Sequence, residues 1–504
     1  MLEITTLRLQ HFRKHLHEVS CINSAVALLE WDKLTGLSTL ASGGRNEAIS
    51  SLTSLAHDKF TDPVVGKLIG LLYPVKDSLT PQERCIVVRT KEDYEEEIKL
   101  PTYFVAEESE AHSAGYDMWV EARKKSDFSI FGPQLEKIVG YARKRADFLG
   151  YTDSPYDALL SQYEPDLTTS KTTAMLLDLK DFLIPLLEKI KRSHVKIPRE
   201  ILNSNCPIDQ QKEFVRFLAD YIGFDLEAGK IDVTEHPMCN RMGPYDTRLS
   251  LRYKESDLLN EAVFGILHEA GHGIYEQGLD QAMWDTPMGT PVSMGFHESQ
   301  SRLWENLVGR SWPFWVVVAN HLRAKFPEQY QDVVNIDLYR AINMVHPGCI
   351  RVDADEVTYN LHIILRFELE RDLIEGKIKV SDLPALWNQK MKEYLGVDVP
   401  DDAHGVLQDV HWSDGSFGYF PTYSLGNIYS AQIFEAAVSA IPSLRIAIKQ
   451  SECRQLRQWL NENIHIHGRM YDSAELMVRV TGKPPSADSF KQYLGRKYGQ
   501  LYQF

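Results

Sequence analysis

Apolar positions recur along most of this chain at helical spacing. Residues 20–37, 176–190, 213–222, 258–275 and 357–374 each set apolar side chains three and four apart, which gives one face of a helix an apolar stripe. Punctuation marks two more helices: Thr80-Pro81 opens residues 82–89, and residues 381–383 lead into 384–394. Strand-like alternation is scarce, with 248–253 the best stretch and 231–234 a weaker companion. No repeat of 20–50 residues, low-complexity tract or Pro-rich linker breaks the pattern. It predicts a mainly α fold in a single domain, residues 1–504, with a small β-sheet near 230–255 and a cleft between two lobes.

Composition adds exclusions. The 504 residues, 43% apolar and 25% charged, can bury a core without disulfides or a structural metal. A formal charge of −15 argues against nucleic acid and against an anionic membrane surface, both of which call for Lys and Arg in excess. There is no run of eighteen apolar residues, and the opening stretch lacks the apolar core of a secretory signal. Six cysteines (Cys21, Cys85, Cys206, Cys239, Cys349 and Cys453) are scattered without a C-x-x-C pair, as expected of reduced, mostly buried thiols in the cytoplasm.

One segment carries explicit chemistry. His268-Glu269-Ala270-Gly271-His272 is an H-E-x-x-H motif. On a helix, residues four apart lie one turn above each other, so both imidazoles can face one ion. Glu269 then stands beside the metal as a general base for water. Gly271 and Gly273 would each weaken an isolated helix by about 1 kcal/mol, which makes sense where something must approach closely. A catalytic zinc needs a third ligand and an open position. Glu276 lies two turns from His268 and cannot reach. Glu298 is the better candidate, presented by a second, antiparallel helix after the Pro-, Gly- and Thr-rich loop 285–293, with Arg302 steadying its carboxylate. His297 is the rival ligand. His465-Ile466-His467 has no third ligand nearby and is read as structural.

With these residues the chain resembles the carboxypeptidase Taq family of zinc metallocarboxypeptidases. His297-Glu298-Ser299-Gln300-Ser301-Arg302 resembles the family's third-ligand helix, Ile350-Arg351 through Ala354-Asp355 its I-R-x-x-A-D signature, and Gly405 through Gln408-Asp409 to His411-Trp412 its G-x-x-Q-D-x-H-W. His236-Pro237-Met238 and Asp246 through Arg248 to Ser250 depart from H-P-F and D-x-R-x-T at their last positions. The resemblance, carried by motifs spanning 236–412, implies a helical gluzincin-type body with a deep substrate groove and one Zn²⁺ per subunit at a site within 268–298. It also implies Co²⁺ as a possible substitute, a cytoplasmic homodimer, and broad-specificity removal of single residues from peptides with a free C-terminus.

Such an enzyme also needs a cation for the terminal carboxylate, and the planar fork of arginine suits it. Arg351 is the first choice, with a salt bridge to Asp353 or Asp355 as the bland alternative. Arg248 is the second, unless Asp246 pairs with it across a turn. His411, Tyr419 and Tyr423 are candidate oxyanion donors or substrate contacts, and residues 413–418 suggest a loop folding over the cleft. Two rival functions remain: a zinc oligopeptide endopeptidase of similar helical fold, and a zinc-stabilised scaffold, against which Glu269 argues.

Overall fold

The computed structural model describes residues 2–450 and 452–504. Helix accounts for 70% of the molecule, which makes it a mainly α protein with a single small sheet among the described residues. Thr80-Pro81 opens the helix Pro81–Glu97. The Thr80 side chain accepts from the Glu83 backbone while the Glu83 carboxylate returns to the Thr80 backbone, so two orphan donors of the first turn are satisfied. The 176–190 pattern lies inside the helix Thr169–Lys191, whose buried face reads Leu176, Leu179, Leu183, Leu186, Leu187 and Ile190. The 213–222 pattern lies inside Ile208–Ile222, and 384–394 inside Leu383–Leu395. The 20–37 pattern is only the end of one long helix, Leu2–Thr35. Its earlier turns carry mixed polar residues that mask the period.

The sheet sits where the alternation suggests, with shifted bounds. Strands β1 (Gly229–Val233), β2 (Met238–Gly243) and β3 (Asp246–Leu251) are ordered β1-β3-β2. β1 runs parallel to β3 and β2 antiparallel to it. β2 escapes the sequence pattern because nearly all its residues are half-buried and neither face is distinctly apolar. Behind the sheet, Leu249 and Leu251 pack on the helix Gly265–Gly278 that carries the H-E-x-x-H motif.

Among the described residues two apolar clusters form the interior. The larger runs from Trp119 to Tyr502 and includes the buried faces of nearly every helix after residue 119. A smaller one joins Leu9, Phe12 and Leu16 to Ile69, Leu72, Ile86 and Val87. Met288, from the loop between the motif helix and its successor, belongs to this smaller cluster. The N-terminal helices therefore pack directly on that loop. Deep in the larger core lies the helix Tyr359–Ile374, buried on all sides and bearing charged residues. Each needs an internal partner: Arg366 pairs with Asp409, and Glu370 accepts from Tyr156 Oη, Trp412 Nε1 and Gly418 N. Cys85, Cys206 and Cys453 are buried as expected. Cys21 is exposed and Cys239 and Cys349 are half-buried, and all six are free thiols.

Candidate metal centre

His268, Glu269 and His272 stand on the helix Gly265–Gly278, and Glu298 stands on the helix Met294–Arg302. Side-chain contacts between the two pair His272 with Glu298 and Glu276 with His297, while Gly271 meets Gln300 and Ser301 and His268 reaches Glu305. As one helix number rises the other falls, so the helices are antiparallel. Gly271 permits the close approach: a Cβ there would lie 2.7 Å from Ser301 Cα and 2.8 Å from the Gln300 carbonyl oxygen. Gly426, on the helix Phe420–Ala440, makes room for the Glu298 side chain in the same way. Glu298 Oε2 lies 3.7 Å from His268 Nε2 and 3.4 Å from His272 Nε2. One donor atom from each of the three residues falls within 4.8 Å of the others. Two imidazoles and a carboxylate are the donor set of a catalytic zinc-type site, so these residues fit a divalent metal.

A brace surrounds the three. Arg302 donates through Nε to Glu298 Oε1 at 2.6 Å and through Nη1 to Glu305 Oε2 at 3.1 Å. Glu305 Oε2 is also 3.0 Å from His268 Nδ1. A carboxylate on the far nitrogen fixes the imidazole tautomer and leaves Nε2 as the ligand atom. Glu305 lies in the π-helical segment Leu303–Val308 that continues the Glu298 helix, and a second π segment, Leu258–Phe264, leads into the His268 helix. On the other flank His272 stacks on His297 at 4.3 Å, and His297 Nε2 is 3.0 Å from Glu276 Oε1. The rival His297 thus supports the ring of His272, and Glu276 is two turns away from His268 as its spacing implied.

Charge within the cluster is strongly perturbed. Glu269 is 6% exposed; burial pushes its pKa up to about 7, with the Glu298 charge adding to burial and the His268 charge opposing it. For Glu298 burial acts upward, but Arg302 and the imidazoles outweigh it and hold the carboxylate well below its usual range. Glu305, under the same balance of burial against Arg302 and His268, is held down to about 2. Burial, reinforced by the neighbouring His297, drives His272 down to about 3. His268 is also lowered by burial, yet the two glutamates beside it raise it overall.

A second charged cluster holds Arg351, which is 6% exposed. Its Nε and Nη2 lie 2.9 Å from Asp409 Oδ1, and Nη1 donates to Tyr359 Oη at 3.1 Å. Asp409 is shared with Arg366 at 2.6 Å. The pairing with Asp353 or Asp355 does not form: Asp355 instead accepts from the Val357, Thr358 and His346 backbones. Asp409 is the nearer partner because residues 405–409 fold beside 349–351, with the Gln408 side chain bonded to the Cys349 carbonyl and the Arg351 amide. Arg248 does pair with Asp246, through two bonds of 2.8 Å, but along one face of β3 and not across a turn.

His411 Nε2 lies 3.3 Å from Tyr423 Oη, and Tyr419 meets Tyr423 edge to face at 5.2 Å. Residues 413–418, whose Gly and Ser content suggests a loop folding over the cleft, are packed into the body. Ser413 and Phe417 are buried, Gly415 at φ 74° packs on His112, and Gly418 at φ 93° packs on the Leu159 backbone. The glycines serve tight turns and close packing here. Met238 and Ser250, the two departures from the family pattern, are direct cross-strand partners in β2 and β3. His465 is hydrogen-bonded to Gln300 at 2.9 Å and packs on Tyr275. Sequence reasoning passed over Glu305, Tyr359 and Arg366. For Arg366 a signal existed: it directly follows the apolar run Ile363-Ile364-Leu365, and a charge so close to apolar neighbours on both sides implies a buried partner.

Comparison with known proteins agrees with this geometry. A family model described as carboxypeptidase Taq (M32) metallopeptidase matches residues 11–498. Carboxypeptidase 1 of Bacillus subtilis is 37% identical over 97% of both chains, and thermostable carboxypeptidase 1 of Thermus thermophilus is 38% identical over 98% of both. A crystal structure of an M32 carboxypeptidase from Deinococcus radiodurans, 37% identical, superposes with a TM-score of 0.96 over 99% of this chain and all of that one. The chain belongs to the carboxypeptidase Taq (M32) metallopeptidase family and is a metallocarboxypeptidase.

Proposed function

We propose that this enzyme releases single amino acids, with broad specificity, from peptides bearing a free C-terminus. His268, His272 and Glu298 would hold one Zn²⁺, with Co²⁺ able to replace it. The observation that carries the reading is the convergence of these three side chains beside a buried glutamate. When bound, the metal supplies Lewis-acid polarisation of the scissile carbonyl and makes nearby water more acidic. Glu269, poised near neutrality by its burial, takes the proton of the attacking water and returns it to the leaving amine.

Arg351 receives the substrate carboxylate. Asp409 occupies the side of its guanidinium and Tyr359 one Nη1 proton, so one proton on each terminal nitrogen stays free for a two-pronged grip. That grip explains removal of one residue at a time. Arg248 and Tyr419 contact the peptide further along a groove between the lobes. For the oxyanion, burial drives His411 down to about 4, so its ring is neutral. With Nε2–H donating to the Tyr423 oxygen, the phenolic proton of Tyr423 is free to donate to the developing charge. The chain works as one domain, residues 1–504, in a cytoplasmic homodimer.

The test is hydrolysis of one short peptide as free acid and as C-terminal amide, by metal-loaded wild type and Glu269→Gln. Stepwise loss of single residues from the free acid alone, abolished in the variant, is the expected result. Equal cleavage of the amide refutes the terminus grip, and undiminished activity in Glu269→Gln refutes the base.

A further inference from the structure

Tyr359 touches both charged clusters. Its hydroxyl accepts from Arg351 Nη1 at 3.1 Å, and the face of its ring lies 4.4 Å from the Arg302 guanidinium carbon. Arg302 in turn donates to Glu298 and Glu305. Tyr359 begins the buried helix Tyr359–Ile374, is 6% exposed, and is met edge-on by Tyr423 at 6.2 Å. A rigid ring with two side-chain torsions thus separates the arginine beside Asp409 from the arginine beside Glu298. Both contacts suit the chemistry: a phenol oxygen accepts a charge-assisted bond, and an aromatic face attracts a guanidinium.

We propose that Tyr359 is a positioning residue that sets the register between the substrate's terminal carboxylate and the metal. Its hydroxyl aims Arg351, and its ring face seats Arg302 and through it the Glu298 carboxylate. The proposal rests on reading Arg351 as the carboxylate receptor and His268, His272 and Glu298 as the metal ligands. The two functions of Tyr359 belong to different parts of one side chain and are separable by substitution.

The experiment compares full-length wild type, Tyr359→Phe, Tyr359→Leu and Arg351→Ala. Steady-state kinetics use an N-blocked dipeptide free acid. Zn²⁺ affinity of the metal-stripped protein is read by competition with a chromophoric chelator, independently of activity. Tyr359→Phe should raise KM about tenfold, the effect of one charge-assisted hydrogen bond, with little change in kcat and with wild-type Zn²⁺ affinity. Tyr359→Leu should raise KM similarly and also weaken Zn²⁺ binding about tenfold, as loss of outer support for a ligand does. Tyr359→Met provides a second ringless variant if the leucine chain melts below the assay temperature. Wild-type KM in Tyr359→Phe, or wild-type Zn²⁺ affinity in both ringless variants, overturns the proposal. An unchanged KM in Arg351→Ala instead overturns the receptor reading, whatever Tyr359 does.

Discussion

Gly271→Ala pits two effects of opposite sign against each other. Alanine in a helix interior is favoured over glycine by about 1 kcal/mol. At Gly70, where a Cβ would meet nothing within 4 Å, that gain should appear undiminished as a stabilised variant. At Gly271 the new methyl would lie 2.7 Å from Ser301 Cα and 2.8 Å from the Gln300 oxygen, both backbone atoms of the facing helix that carries Glu298. Ordinary contact begins near 3.4 Å, so the helices must part by about 0.7 Å. Such overpacking costs about 1–3 kcal/mol and outweighs the propensity gain. The metal pays more than the fold. A ligand set tolerates displacements of about 0.2 Å, and parting the helices carries Glu298 away from both imidazoles. We expect the metal-stripped variant to melt a few degrees below wild type and its Zn²⁺ affinity, by chelator competition, to fall at least tenfold. If Gly271→Ala gains stability as Gly70→Ala does and binds Zn²⁺ as tightly as wild type, the close approach of the two helices is refuted.

Other substitutions test the surrounding braces. Glu305→Gln removes the carboxylate from His268 Nδ1 and should weaken Zn²⁺ binding about 10–100-fold in the same competition assay. Asp409→Asn leaves Arg351 and Arg366 buried without their shared counter-charge, and should lower stability by about 3–5 kcal/mol in urea unfolding. In the metal-stripped protein Glu269 has a folded pKa of about 7 against 4.5 when free, so the folded state holds the proton more tightly. Stability from this group is therefore present below pH 4.5 and lost as pH rises to 7. Glu269→Gln should accordingly overtake wild type in that window, by up to about 3 kcal/mol, in melts taken at pH 5 and pH 7.5.

Long amphipathic helices were legible in the sequence because burying one face imposes a period. Leu176–Ile190 shows it plainly; the spacing in 357–374 predicts one apolar face as well, yet Tyr359–Ile374 is buried nearly all round because its charged residues find internal partners. The ligand candidates were legible for a similar local reason: His268 and His272 are one helical turn apart. Gly271 pointed to a close neighbour without naming it. What remained hidden depends on contacts between segments distant in sequence. Arg351 finds Asp409, 58 residues away, where local spacing suggested Asp353 or Asp355. Residues 413–418 have the composition of a mobile loop, yet His112 and Leu159 pin their glycines. β2 went unseen since its alternation is absent, so the facing of Met238 and Ser250 emerged only from the strand register.

The two π-helical segments set where this chain can lose a residue. Each carries a wider turn than an α-helix, with bonds reaching five residues back, and so holds one residue more than an ordinary turn. A single-residue deletion within 258–264 would let that stretch close as an ordinary helix with His268 and His272 near their present orientation. The same deletion within 265–267, where the chain is already α-helical, would swing both imidazoles together by about 100°, one residue's rotation. Among variants of this chain, length should therefore be fixed across 265–276 even where the residues themselves drift, while the wide turn ahead of it tolerates a lost residue.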